Sequence, residues 1–434
     1  MKKLTLSTSV FTLLASTALA GGLDRSGQGI GAVFNAPGTT GVSFGVIMPS
    51  IKGIDNTGNS YDIGETYQQY GFSYTGKATE KFSYALIVDQ PYGVNVSYGN
   101  NPTTSALGGT MADLSSQSAT FVGRYALTSR FSVLGGISVE SVKGTVALNG
   151  VSYRNAISTA AVVKDYNENT RPSGTPELEV TTLGAALQNS LPAVATDAAT
   201  AIDTAYGAGT TAALGAGVTT QSTAFATNGG YNFSMEDDTS VGFLLGAAYE
   251  IPDIALRLSA SYRFEMDHSA STTESVFGLT SVPGSVDYVT PQSFNLDFQT
   301  GIAKDTLLTA NFRWTDFSAV DVVPTVLGSD LVNIDDAYRY QIGVGRRFSD
   351  SFSGSLTFTY EPEGGEATVS PLGPTDGLYA VTLGGRYTKK NLNISGGLNY
   401  TWLGAAKAGV GGQEAAAFGE NSAVGVGLRV EMVF

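Results

Sequence analysis

Along most of the chain apolar and polar residues alternate with a period of two, which marks a β-strand whose two faces meet different surroundings. The clearest case is 254–266. Ile254, Leu256, Leu258, Ala260, Tyr262, Phe264 and Met266 lie on one face, and Ala255, Arg257, Ser259, Ser261, Arg263 and Glu265 on the other. Thirteen residues is long for a soluble sheet, where about 5–6 is usual; a tilted membrane strand needs about 9–11. The pattern recurs at 42–48, 67–75, 82–90, 119–127, 131–142, 241–251, 292–302, 306–315, 338–348, 352–361, 378–388, 392–402 and 423–434, which makes fourteen predicted strands in all.

The connections between them alternate short and long. Short ones at 76–81, 128–130, 252–253, 303–305, 349–351 and 389–391 are rich in turn formers such as Pro252-Asp253 and Ser349-Asp350-Ser351. The long ones are 49–66, 91–118, 143–240, 267–291, 316–337, 362–377 and 403–422. An even strand count with short turns at one rim and long loops at the other predicts an all-β fold, a 14-stranded antiparallel transmembrane β-barrel of the outer-membrane type. Apolar-face aromatics fall at both strand ends, for example Trp314, Tyr338, Tyr360, Tyr379 and Trp402 at one and Phe82, Tyr125, Phe131, Tyr249, Phe348 and Phe352 at the other. Such double girdles mark the two membrane interfaces. The last strand carries Val424, Val426, Leu428, Val430, Met432 and Phe434 on one face, the form of a signal read by barrel-assembly machinery.

Three segments fall outside this scheme. Residues 1–20 combine Lys2 and Lys3, a short apolar stretch and Ala18-Leu19-Ala20, the layout of a cleaved secretory signal. Residues 21–41, rich in glycine, precede the barrel at 42–434 and are the natural plug, or hatch, for its lumen. Loop 143–240 is far longer than a structureless connection usually is; Leu183, Leu187, Leu191 and Val194 have helical spacing, so one or two short helices are expected within 175–213.

Composition agrees with two-faced strands in lipid and narrows the function. Charged residues are only 14%, glycines number 54, and mean hydropathy is +0.05, too low for a bundle of membrane helices. A net charge of −14 argues against nucleic-acid binding, which needs a basic surface. With no Cys and one His, thiolate chemistry is excluded, histidine-based catalysis is a poor fit, and neither a cofactor nor a metal is called for. The chain is expected to be a monomeric protein of a Gram-negative outer membrane, in contact with its lipid and lipopolysaccharide, and not an enzyme.

A 14-stranded barrel is too wide for side chains alone to fill. The hatch offers apolar Ile30, Val33 and Phe34 to a hydrophobic ligand. The lumen face carries charges of both signs, among which Arg257, Arg313 and Arg339 could receive a ligand carboxylate through charge-assisted hydrogen bonds. The alternative for these charges is mutual pairing inside the wall. Competing functions are a porin for hydrophilic solutes and an outer-membrane hydrolase using His268 oriented by Asp267. The acidic runs Glu236-Asp237-Asp238 and Asp335-Asp336 read as solvated loop charge, with a divalent cation shared with lipopolysaccharide as the alternative.

Four stretches resemble the FadL-type outer-membrane transporters of long-chain fatty acids and hydrocarbons. They are Leu23-Asp24-Arg25-Ser26-Gly27-Gln28 continuing to Phe34-Asn35-Ala36-Pro37-Gly38, Asp89-Gln90-Pro91-Tyr92-Gly93, Arg313-Trp314-Thr315-Asp316-Phe317-Ser318, and Tyr338-Arg339-Tyr340-Gln341-Ile342-Gly343-Val344-Gly345. The resemblance implies passive transport of hydrophobic molecules through a barrel plugged by an N-terminal hatch, with a kink in the third strand opening a lateral exit. It places Leu23, Arg25, Asn35 and Pro37 in the hatch and Asp89, Pro91 and Gly93 at the kink. The order Asn35-Ala36-Pro37 differs from the family's usual Asn-Pro-Ala, and the hatch is shorter.

Overall fold

The computed structural model describes residues 23–188 and 192–434; the expected signal at 1–20 lies outside them. Fourteen antiparallel strands close into a barrel. They are β1 (Thr39–Asp55), β2 (Tyr67–Lys77), β3 (Phe82–Asp89, resuming at Gly93–Ser97), β4 (Met111–Ala126), β5 (Phe131–Leu148), β6 (Tyr231–Ile251) and β7 (Leu256–Arg263). Then follow β8 (Ser293–Ala303), β9 (Thr306–Thr315), β10 (Ala337–Arg347), β11 (Phe352–Glu361), β12 (Leu378–Lys389), β13 (Leu392–Leu403) and β14 (Gln413–Val433). Each pairs with its neighbours in sequence, and β1 closes on β14 from Thr39↔Val433 to Asp55↔Ala416. Closure matters because an open edge in lipid leaves backbone groups without partners.

Side chains divide as the alternation requires. On β7, Ser259, Ser261 and Arg263 are buried inward while Leu258 is exposed outward; Phe243, Ile342, Leu356, Leu383 and Leu398 are likewise exposed on the outer surface. Leu296, Phe312, Tyr340, Tyr360, Tyr379 and Trp402 stand opposite one another across six consecutive strands, β8 to β13. Adjacent rings along this row are 5.0–6.3 Å apart. A second row at the short-turn rim includes the stacked pair Phe348–Phe352, 5.9 Å apart. These are the two interfacial belts.

Several strands outrun their alternating segments. β1, β4, β5, β6 and β14 continue above the outer aromatic row, where water replaces lipid on the outer face and no apolar alternation is needed. For the same reason the expected loop 267–291 proves to be a hairpin, Met266–Val276 with Leu279–Thr290. The expected single strand over 254–266 ends at Arg263, and a break at Phe264–Glu265 separates it from that hairpin. In the long loop α1 (Gly150–Asp165) lies before 175–213, and the expected helices within that stretch are α2 (Val180–Ala186) and α3 (Pro192–Tyr206); α4 (Thr210–Thr227) begins at its end and runs beyond it. The Ala- and Thr-rich sequence of α4 carries weak apolar periodicity, which hides it from pattern reading. Tyr153 of α1 packs against both apolar clusters that fill the long-loop mouth, one around Tyr61, Tyr98 and Phe418 and one around Phe225, Tyr231 and Phe233.

Asp55, at the water-facing end of β1, organises part of that mouth. It accepts hydrogen bonds from the Thr57 and Asn59 amides (2.9 and 2.8 Å), the Ala106 amide (2.8 Å) and the Tyr61 hydroxyl (2.5 Å). Burial alone would push this carboxyl up, but the bonds from Tyr61, Ala106, Thr57 and Asn59 outweigh it and hold it at about 2. A carboxyl depressed in the fold contributes stability above its unfolded value of 3.8, and loses that contribution as pH falls through the window from there to about 2. Asp55→Asn is therefore expected to cost about 1–3 kcal/mol of local stability. Hydrogen exchange at Thr57, Asn59 and Ala106 should accelerate at pH 7, and the difference from wild type should vanish below pH 2.

Candidate functional site: the plugged lumen and the break in the third strand

Residues 23–38 fold into the lumen, and β1 begins at Thr39, three residues before the expected start. At one end the plug pairs with the broken part of β3. The Gly93 amide donates to the Leu23 carbonyl (2.9 Å), the Arg25 amide donates to the Pro91 carbonyl (2.7 Å), and Asp24 bridges Tyr92. Gly93 is required by contact: a Cβ there would lie 2.6 Å from the Arg25 guanidinium. That guanidinium stacks 4.0 Å from the Tyr67 ring centre and donates to Asn95 (2.6 Å).

β3 is broken at Gln90-Pro91-Tyr92. Against β4, Asp89 pairs with Ser118 and Gly93 with Ser115, so β3 spends four residues where β4 spends three. The bulge carries Pro91, which has no amide to offer a ladder. Tyr92 keeps its hold on β4 through Ser116, which accepts from the Tyr92 amide (2.8 Å) and donates its own amide to the Tyr92 carbonyl (3.1 Å). Against β2 the consequence is larger. Phe72 pairs with Val88 below, Gly64 bridges Val96 above, and the two positions sum to the same register on both sides. Between them, among the described residues, no ladder pair joins the two strands. In their place the Gln90 side-chain oxygen accepts from the Tyr70 amide (3.0 Å). A cavity of ≈ 250 Å³ runs from the plug to this gap and touches Gly29, Phe34, Gly71, Asp89, Arg257 and Arg429.

The plug is held by two kinds of contact. On one side Ile30 and Val33, at 2% and 1% exposure, pack into Ala85, Ile87, Val122, Leu134 and Leu244 of the wall. These two expected ligand contacts therefore face the wall and not the cavity, because the helical turn Gly31–Phe34 rotates them away from it. Phe34 does reach the cavity; its ring lies 4.9 Å from the Arg124 guanidinium and 4.2 Å from that of Arg257. Arg124 is tied to Glu250, and Arg257 donates to Gln299 (3.1 Å).

On the other side the contacts are ionic. Asp24 accepts from Arg313 Nε at 2.6 Å and lies 3.5 Å from Arg339 Nη1, and Arg339 also pairs with Glu361. The Gln28 side chain accepts from Arg313 (3.3 Å), Tyr92 (3.2 Å) and Ser293 (3.3 Å). Ser26 donates to Asp89 (2.6 Å). Arg313 and Arg339, expected to meet a ligand carboxylate, both border the cavity, yet the carboxylate they hold is the plug's own. Asp24, Ser26, Gln28, Arg124 and Glu361 were not singled out as site residues from sequence, although arginines facing a lumen demand counter-charges and Asp24 sits in the run Leu23–Gln28 that carries part of the resemblance. Asn35 is buried, and Pro37 is exposed in the turn that joins plug to β1. Gly38 in that turn has φ +81°, a conformation suited to glycine, and a Cβ would meet the Phe434 carbonyl at 2.6 Å.

His268 lies away from the plug, on the hairpin above β7. It bonds Asp238 (2.8 Å) and stacks on Tyr288, while Asp267 is exposed. The partner expected from sequence was Asp267; alternation of side chains along a strand puts neighbours on opposite faces and excludes that pair. Among the described residues no group of three His, Asp or Glu side chains is arranged to hold a metal ion.

Comparison with known proteins was made on sequence and on structure. A model of the family described as outer membrane protein transport protein (OMPP1/FadL/TodX) matches residues 47–434. Among solved structures, a FadL homologue of Pseudomonas aeruginosa is 13% identical, with a TM-score of 0.61 and coverage of 93% of this chain and 94% of that one. The toluene transporter TodX of Pseudomonas putida is 14% identical, with a TM-score of 0.59 and 98% of each chain covered. The Ralstonia pickettii toluene transporter TbuX is 15% identical, with a TM-score of 0.56 and coverage of 98% and 97%. No match was found among curated proteins.

Replacing Phe34 by Leu keeps an apolar side chain and removes the π face. The loss of two cation–π contacts is expected to loosen the plug by about 0.5–2 kcal/mol, seen as faster hydrogen exchange at Val33 and Asn35, while Phe34→Tyr should exchange like wild type.

Proposed function

Because residues 47–434 match the family model, the chain belongs to the outer membrane protein transport family (OMPP1/FadL/TodX), and we propose that its cargo is a long-chain fatty acid or a related hydrophobic molecule, released sideways through the gap between β2 and β3. Membership makes it an outer-membrane barrel that transports hydrophobic compounds. A porin for hydrophilic solutes is not supported, since the lumen is filled by the plug and the mouth by apolar clusters.

The observation that carries the finer reading is the gap itself. It is the place where a closed ladder in lipid gives up its hydrogen bonds, and the plugged cavity reaches it, bordered there by Tyr70, Gly71, Asp89 and Gln90. Each CH₂ transferred from water to an apolar site contributes about 0.8 kcal/mol, so a fatty chain binds such a cavity and then prefers lipid to water. No phosphate-binding loop is present in the sequence, so transport is passive, down a series of affinities. The hatch residues Leu23, Arg25, Asn35 and Pro37 and the kink residues Asp89, Pro91 and Gly93 keep their proposed roles as movable plug and gate, with Phe34 and Arg257 as ligand contacts. The barrel is proposed to work as a monomer, bordered by lipopolysaccharide and assembled through its strand ending in Phe434. A second cargo class, small aromatic hydrocarbons, is favoured by the cavity of ≈ 250 Å³; a site of about 150 Å³ already accommodates benzene.

The natural chain has no cysteine, so a cross-link is clean. With cysteines at Tyr70 and Gln90, a cleavable bis-thiol linker across the gap is expected to cut uptake of labelled oleate at least tenfold, with recovery on cleavage. Uptake that is indifferent to the linker would remove the lateral route.

A further inference from the structure

Asp24 occupies the arginine pair of the lumen in the manner of a bound ligand. Its carboxylate is 2% exposed and engages Arg313 side-on, with Nε at 2.6 Å from Oδ2 and Nη2 at 3.4 Å from Oδ1. Arg339 Nη1 stands 3.5 Å from the same Oδ2. Arg313 is buried to the same degree as Asp24, and its Nη1 has no hydrogen-bond partner among the described residues. A buried guanidinium with one unsatisfied donor is an incomplete anion site. Both arginines border the cavity, so a ligand there reaches them without crossing the wall.

Building on the cargo reading above, we propose that the Arg313–Arg339 pair is a carboxylate site for which the cargo's headgroup competes with Asp24, and that winning the site releases the plug. Exchange of one carboxylate for another keeps the buried charge in balance. Removing Asp24 without replacement would leave Arg313 without its ion-pair partner and Arg339 with Glu361 only, which is strongly unfavourable. A neutral ligand of the same length therefore binds beside the latched plug and cannot open it. The mechanical link is short. Asp24 lies between Leu23 and Arg25, whose backbones pair with Gly93 and Pro91 of the broken β3 segment. Displacing its side chain loosens the three residues that tie plug to gate. The Nη1 donor gives the incoming headgroup a first hydrogen bond before Asp24 departs.

The test compares oleate with oleyl alcohol, which share a chain and differ in charge, on purified full-length protein in detergent or nanodiscs. Wild type and Asp24→Asn are titrated with both. Competition predicts that Asp24→Asn binds oleate at least tenfold more tightly than wild type and binds the alcohol within twofold of wild type. A second readout needs no loss of the latch. Gly29 has open space where a side chain would project, so Gly29→Cys in the otherwise cysteine-free chain reports on the plug. Oleate, and not oleyl alcohol, is expected to raise its labelling rate by a water-soluble maleimide at least fivefold. If Asp24→Asn does not fold, this measurement decides alone. Equal affinities of wild type and Asp24→Asn for oleate, or equal labelling with both ligands, would overturn the competition while leaving the cargo reading intact. Failure of both lipids to bind wild type would overturn the cargo reading and, with it, the competition.

Discussion

The molecule depends on one constraint: a backbone in hydrocarbon must satisfy its hydrogen bonds internally. Fourteen strands meet it by closing Thr39↔Val433 through Asp55↔Ala416. Departures from the ladder are costly and therefore informative. At Gln90-Pro91-Tyr92 the chain gives up pairing with β2 and recovers some of the loss from Ser116, from the plug at Leu23 and Arg25, and from the Gln90 side chain on Tyr70. The gap is an ordered arrangement, in register above and below, rather than a frayed edge.

The same demand, moved from backbone to side chains, shapes the lumen. Arg263, Arg313 and Arg339 are buried in a wall too wide to be filled by side chains alone. Isolated guanidiniums would be untenable there, and the plug supplies Asp24 and both the side chain and the backbone carbonyl of Gln28 to them. Plug and wall thus complete one another electrostatically on one side, while Ile30 and Val33 complete an apolar patch on the other. The plug is held by ion pairs as well as by apolar burial.

Position along the barrel axis sorts the contacts by purpose. The outer rows of aromatics fix the barrel in lipid. Above them, clusters around Tyr61, Tyr98 and Phe418 and around Phe225 and Tyr231 close the mouth with apolar side chains, through which a hydrophobic molecule passes more readily than a sugar. Below lie the polar plug and the sideways gap. The sequence of surroundings, apolar mouth, mixed cavity and lipid-facing gap, suits hydrophobic cargo.

Period-two alternation settled the strand count, the barrel class and the orientation of faces by itself, because lipid outside and a polar lumen inside impose opposite chemistry on successive residues. The short turns and the aromatic rows were legible for the same reason. The apolar spacing at Leu183 and Leu187 did point to helix within 175–213, but above the membrane the alternation rule lapses, so the extensions of β4 and β6, the 266–290 hairpin and the helices α1 and α4 were not legible. Nor was the partner of any lumen charge. Asp24 and Arg313 are 289 residues apart, and nothing local links them; only closure of the barrel around the plug brings them together. The register of β3 against β2, and with it the gap, was decided in the same way, by pairing across the wall rather than by the residues of either strand.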